Sequence, residues 1–83
     1  MSKFKNNNTV TLGENNLGSS PYGAISIASI GASGSVGHYS NGVFYPHADG
    51  SISSGEMLTF EIGRGRVIGF DCSSIGEISI MEV

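Results

Sequence analysis

The one set of side chains in this sequence conceivable as metal ligands is His38 and His47 with Asp49, Asp71 and Cys72, the last also the candidate nucleophile. Structural zinc is held by closely spaced pairs of Cys or His, because one short loop must present two ligands to one ion. His38 and His47 lie nine positions apart with no such pairing, so no metal site is expected. Cys72 runs in phase with Ile68 and Phe70 and reads as a small buried apolar residue. A thiolate nucleophile would need an adjacent base or positive charge, and none is legible beside it. Glu56 with Glu61, or Glu77 with Glu82, could be imagined as the carboxylate pair of a glycosidase. Each falls on an exposed strand face, and a short chain leaves little room for a deep sugar cleft. The run Gly63-Arg64-Gly65-Arg66-Val67-Ile68-Gly69 superficially resembles a phosphate loop. Its glycine spacing is wrong, however, and it leads into a strand rather than a helix, so it offers no helix N-terminus to an anion. No nucleophile, base and stabiliser assemble from these residues. The sequence therefore predicts a protein that is not an enzyme, with no cofactor and no catalytic residue.

The charge distribution narrows the partners. The 83 residues carry four Lys and Arg against seven Asp and Glu, for a net charge of −3. The cations are Lys3, Lys5, Arg64 and Arg66, and between Asn6 and Gly63 there is none. Phosphate backbones call for clustered Lys and Arg, so nucleic acid is not expected as a partner. Elsewhere the polar positions are filled by Ser, Asn and Gly. A surface of hydroxyls, amides and bare backbone suits packing against neighbours better than charge-repelled solitude. One cysteine excludes an internal disulfide. Neither a signal peptide nor an apolar run of membrane-spanning length (about 20 residues) is legible. The expectation is a chain made in a reducing cytoplasm, without a membrane partner.

These residues must be positioned by strands. Apolar residues at helical spacing are missing throughout, and Gly or β-branched residues interrupt every candidate helix. Residues 9–12 alternate polar and apolar, and 13–21 read as a loop. In 24–30, Ile25 and Ile27 share a face while Ile30 has the opposite parity, which predicts a bulge near Ala28-Ser29. Residues 31–35 read as a turn. Asn41-Gly42 is the strongest local signal: both residues of a two-residue type I′ turn need positive φ, and this pair tolerates it. It predicts a hairpin of 36–39 with 43–45, ended by Pro46. Asp49-Gly50 reads as a further turn. Residues 57–62 and 66–70 read as a second hairpin with Gly63-Arg64-Gly65 at its tip, and 77–83 as a last strand with Ile78 and Ile80 inward. The fold class expected is all-β: a small β-sandwich, jelly-roll-like or barrel of about six to seven short antiparallel strands. The domain organisation expected is a flexible N-terminal arm over 1–8 and one β-domain over 9–83.

Several residues remain as candidates for partner contact. Lys3, Phe4 and Lys5 in the arm could lie across a neighbouring subunit, with Phe4 as anchor. Arg64 and Arg66 at the second hairpin could engage carboxylates, to which the guanidinium fork is suited. Tyr39, Phe44 and Tyr45 flank the Asn-Gly turn and, with His47, could form an aromatic recognition surface.

The segments MSKFKNNN, AISIASIGASGSVG and the closing EISIMEV resemble, in composition and layout, small virion proteins of tailed bacteriophages, such as capsid decoration (cement) proteins. This resemblance implies a non-enzymatic virion part that binds and stabilises a symmetric shell or tail, often as a trimer. Its partners would be capsid or tail subunits and copies of itself. Edges such as 77–83 would then be completed by a partner strand. Two other readings fit the same composition: a receptor- or carbohydrate-binding β-module, and a small inhibitor directed at a host protein.

Overall fold

A computed structural model describes residues 5–20 and 22–82. They form eight strands: β1 (Lys5–Val10), β2 (Gly13–Ser19), β3 (Ala24–Ile30), β4 (Ser33–Ser40), β5 (Val43–Ile52), β6 (Met57–Glu61), β7 (Val67–Ser74) and β8 (Gly76–Glu82). One sheet has the order β1-β8-β3-β6 and the other β2-β7-β4-β5, and every strand pairing is antiparallel. The all-β class is as the sequence predicts, with eight strands rather than six or seven. Among the described residues no helix is long and apolar enough to cross a membrane.

The pairing is nested. β4 pairs with β5, β3 with β6, β2 with β7 and β1 with β8. The chain is thus one long double ribbon turned back at Asn41-Gly42, with φ of 51° and 78° at those two residues. The ribbon is wound so that β8 meets β3 and β7 meets β4. The predicted hairpin therefore sits at the centre of the winding. At one end of the two sheets lie four connections between them: residues 11–12, 31–32, 53–56 and 75. We call this the crossing end. At the other, the hairpin end, lie the Asn41-Gly42 turn, the connections 20–23 and 62–66, and the outer ends of β1 and β8.

The core forms between the sheets because alternate residues point inward. Val10, Ile25, Ile27, Phe60, Ile78 and Ile80 from one sheet meet Leu17, Val36, Ile52, Ile68, Phe70 and Cys72 from the other, in one buried cluster. Burying an Ile, Val or Phe side chain contributes about 1.5–3 kcal/mol each. Cys72 is a free, buried thiol in that cluster, its Sγ directed to the Ser74 carbonyl at 3.1 Å.

Several boundaries differ from the sequence expectation. β1 begins at Lys5, inside the segment expected to be an arm, because Asn6, Asn7 and Asn8 pair with Ile80, Ser79 and Ile78 of β8. Lys3 and Phe4 lie outside the described residues. The expected loop 13–21 contains β2, whose register against β7 shifts between Asn16 and Ser19 and whose Leu17 is buried. No bulge occurs at Ala28-Ser29, since β3 pairs without interruption through Ile30. The inward seat belongs to Ser29, buried and donating its hydroxyl to the Ala32 carbonyl, while Ile30 is exposed. β4 starts at Ser33, within the expected turn. Pro46 does not end β5. That strand is a sheet edge, where a residue lacking an N–H breaks no ladder. The strand continues to Ile52, with residues 47–50, the Asp49-Gly50 pair included, bulging out between the Gly37↔Pro46 and Ser35↔Ser51 pairs.

Two larger corrections concern topology. The second hairpin does not exist: β6 pairs with β3 and β7 with β2 and β4, so residues 62–66 pass between sheets. Nor is the edge expected over 77–83 a free one in the described residues 77–82. β8 is interior to its sheet, flanked by β1 and β3, and no partner strand can be added there.

Candidate functional site

At the hairpin end the connections 20–23 and 62–66 are laced together. The Ser20 amide donates to the Arg66 carbonyl (2.9 Å), Gly65 N–H to Ser20 O (2.7 Å) and Gly63 N–H to Gly23 O (3.0 Å). This fixes the backbone from which the Arg66 side chain rises. Its Nη1 lies 3.4 Å from His38 Nε2, and His38 Nδ1 lies 3.1 Å from His47 Nε2. A guanidinium only donates, so His38 accepts at Nε2, carries its proton on Nδ1 and donates to His47. The result is a directed chain, Arg66 to His38 to His47.

Packing holds this chain in place. Tyr45, which opposes His38 across the hairpin, stacks on the His38 ring at 5.6 Å. Phe60 meets His47 edge-on at 5.6 Å. His47 reaches His38 from the diagonal position, two residues beyond Tyr45 on the same face of β5. Burial holds the His38 pKa below its ordinary value, and the Arg66 charge and His47 push it the same way. Beside Arg66 an open hollow of about 590 Å³ is lined by Gly23, Ala24, Glu61, Ile62 and Gly63. Arg64 stands exposed on the same connection.

The aromatic residues around the Asn-Gly turn do not form one surface. Tyr39 and Phe44 oppose each other across the hairpin, on the face of their sheet turned away from the core. Their rings are 5.5 Å apart. They cover Gly69, where a Cβ would come within 2.6 Å of Phe44 Cδ1 and 2.9 Å of Tyr39 Cε2. Burial raises the Tyr39 phenol pKa, reinforced by the Glu14 carboxylate, to which it is hydrogen-bonded, and by Asp71. Tyr45 and His47 belong to the opposite side, beside His38.

The other chemical groups stay apart. Asp71 opposes Ser35 on the outer face while its neighbour Cys72 is buried. Among the described residues no three His, Cys, Asp or Glu side chains converge as a metal site. Glu56 and Glu61 stand at opposite ends of β6, and Glu77 and Glu82 at opposite ends of β8. Hairpin register alone would have placed Tyr45 beside His38, since the turn residues fix which positions oppose. The same register puts His47, two residues beyond Tyr45, on that face and diagonal to His38.

At the crossing end each of the four connections carries or adjoins one exposed large apolar residue: Leu12, Ile75, Ile30 and Met57, between 60% and 67% exposed. Because the strand orders of the two sheets correspond, these connections stand side by side in that sequence. Hydrogen bonds tie neighbours in the row, from Gly31 N–H to Ser54 Oγ (2.9 Å) and from Ser74 Oγ to Gly31 O (3.5 Å). Gly and Ser recur in these connections, with Glu56 next to Met57 and Glu77 opposite Ile30.

No family model, no curated protein and no solved structure matches this chain.

Proposed function

We propose that this chain is a non-enzymatic structural protein, a virion component of the capsid-decoration or tail type, whose two sheets form a jelly roll and which binds and stabilises a symmetric protein assembly. The observation that carries this reading is the row of Leu12, Ile75, Ile30 and Met57, exposed together at the crossing end. Large apolar side chains left exposed at one end of a small protein are what partner subunits cover. The surrounding glycines and serines allow close approach of another backbone at little desolvation cost. The nested strand order suits the same role, since double-sheet jelly rolls recur in shell-forming and lectin-type domains. Immunogold electron microscopy of particles purified from the cells that make the chain tests this reading. Regularly spaced label on shells or tails is the expected result. Label confined to the particle-free fraction would overturn the reading.

A further inference from the structure

Asp49 and Asp71 lie within β5 and β7, and the remaining described charges divide between the two ends of the molecule. At the crossing end stand Glu56 and Glu77, both exposed, while Glu14 near the start of β2 turns to Tyr39 on the outer face of its sheet; no Lys or Arg of the described residues is at that end. At the hairpin end stand Arg64 and Arg66, both exposed, with Lys5 at the start of β1. Glu61 and Glu82 are the acidic residues of that end. The hairpin end also exposes apolar surface of its own, at Val43, Tyr45 and Tyr22.

An apolar row could in principle dock against the same row of a second copy. That contact would bring Glu56 and Glu77 of each copy together with no cation between them, and like charges juxtaposed across an interface oppose association. The opposite end of a second copy supplies what is missing: arginines to face the glutamates and apolar side chains to face the row. We infer that copies of this chain associate head to tail, the crossing end of one seated on the hairpin end of the next. This rests on the assembly reading above and specifies the partner as a second copy. Such a contact joins two different surfaces, so it propagates into a closed ring or an open stack rather than stopping at a dimer.

Sedimentation velocity on the purified chain and two capped variants tests this. Met57→Ser with Ile75→Ser blunts the crossing end, and Arg64→Glu with Arg66→Glu reverses the hairpin end. All four positions are exposed, and circular dichroism would check that each variant keeps the wild-type sheet signal. The wild type should form a concentration-dependent series of oligomers, weakened at least tenfold between roughly 0.05 and 0.5 M salt as screening shortens. Each variant alone should stay monomeric at concentrations where the wild type associates. Mixed, they should form a heterodimer and nothing larger, because each retains the end that the other lacks. A mixture that stays monomeric while the wild type associates would overturn the head-to-tail geometry and leave the assembly reading standing. A wild type that is monomeric at every concentration would also overturn the geometry, and the immunogold result would then decide the assembly reading by itself.

Discussion

His38 is the residue whose chemistry is most constrained. Its imidazole is half-buried, accepts from Arg66 and donates to His47, and its pKa lies below the ordinary 6.5. Between that lowered value and about 6.5 the unfolded chain binds more protons than the folded one, so stability falls as the pH drops through this window. Replacing Arg66 with Met removes one of the charges that depress the imidazole. An NMR titration of the His38 ring should then give a higher pKa, and acid should cost the variant less stability than it costs the wild type. Gly69 makes a second residue-scale case. A Cβ there would strike the rings of Phe44 and Tyr39. Gly69→Ala should therefore destabilise by about 1–3 kcal/mol in urea melts, as overpacking does elsewhere. At this scale the sequence was only partly legible. Cys72 as a buried thiol and the inward Ile25, Ile27, Ile78 and Ile80 followed from parity alone. Ser29 as a core residue did not, because its seat is justified by one carbonyl, that of Ala32, which no pattern announces.

Strand identity was legible wherever β-branched residues alternate, and strand partnership was not. Residues 57–61 read correctly as a strand, yet the glycines after them suggested a tight hairpin. Gly63 and Gly65 do adopt positive φ, as such a turn would require. They use it to carry the chain from one sheet to the other, and local turn chemistry cannot distinguish the two. The polar segment 13–19 was illegible for another reason. Only Leu17 of β2 is buried, so one inward apolar residue had to stand for a whole strand. The position of β8 between β1 and β3 yields an element-scale prediction. Its amides should be among the slowest to exchange by hydrogen–deuterium mass spectrometry, with those of the edge strands β5 and β6 faster. Ser79→Pro should abolish the folded state, because a central strand has no ladder bond to spare, whereas β5 already contains Pro46.

The whole molecule is dominated by contacts distant in sequence. β1 meets β8 with Lys5 opposite Met81, and β2 meets β7 with Gly13 opposite Cys72. Only the β4–β5 hairpin is local. Nested pairing of this kind must close long loops before the sheets are rewarded, which places folding on the millisecond-to-second scale. Stopped-flow refolding should show that range. Gly42→Ala, which forces a side chain into the positive-φ seat of the central turn, should slow refolding if the winding starts there. An unchanged refolding rate with faster unfolding would place the hairpin late. The end-to-end sorting of charge also belongs to this scale. It arises because no Lys or Arg lies between Lys5 and Arg64, and winding brings Lys5, Arg64 and Arg66 to one end.

That same winding has a practical corollary for engineering. Lys5 and Met81 sit opposite each other on adjacent strands, while the Asn41-Gly42 tip is exposed. A circular permutant, with residues 5 and 82 bridged by a short flexible linker and the new termini opened at that tip, should retain both sheets. It would exchange the single local pairing for one across the bridge, turning the outermost turn of the spiral into its hub.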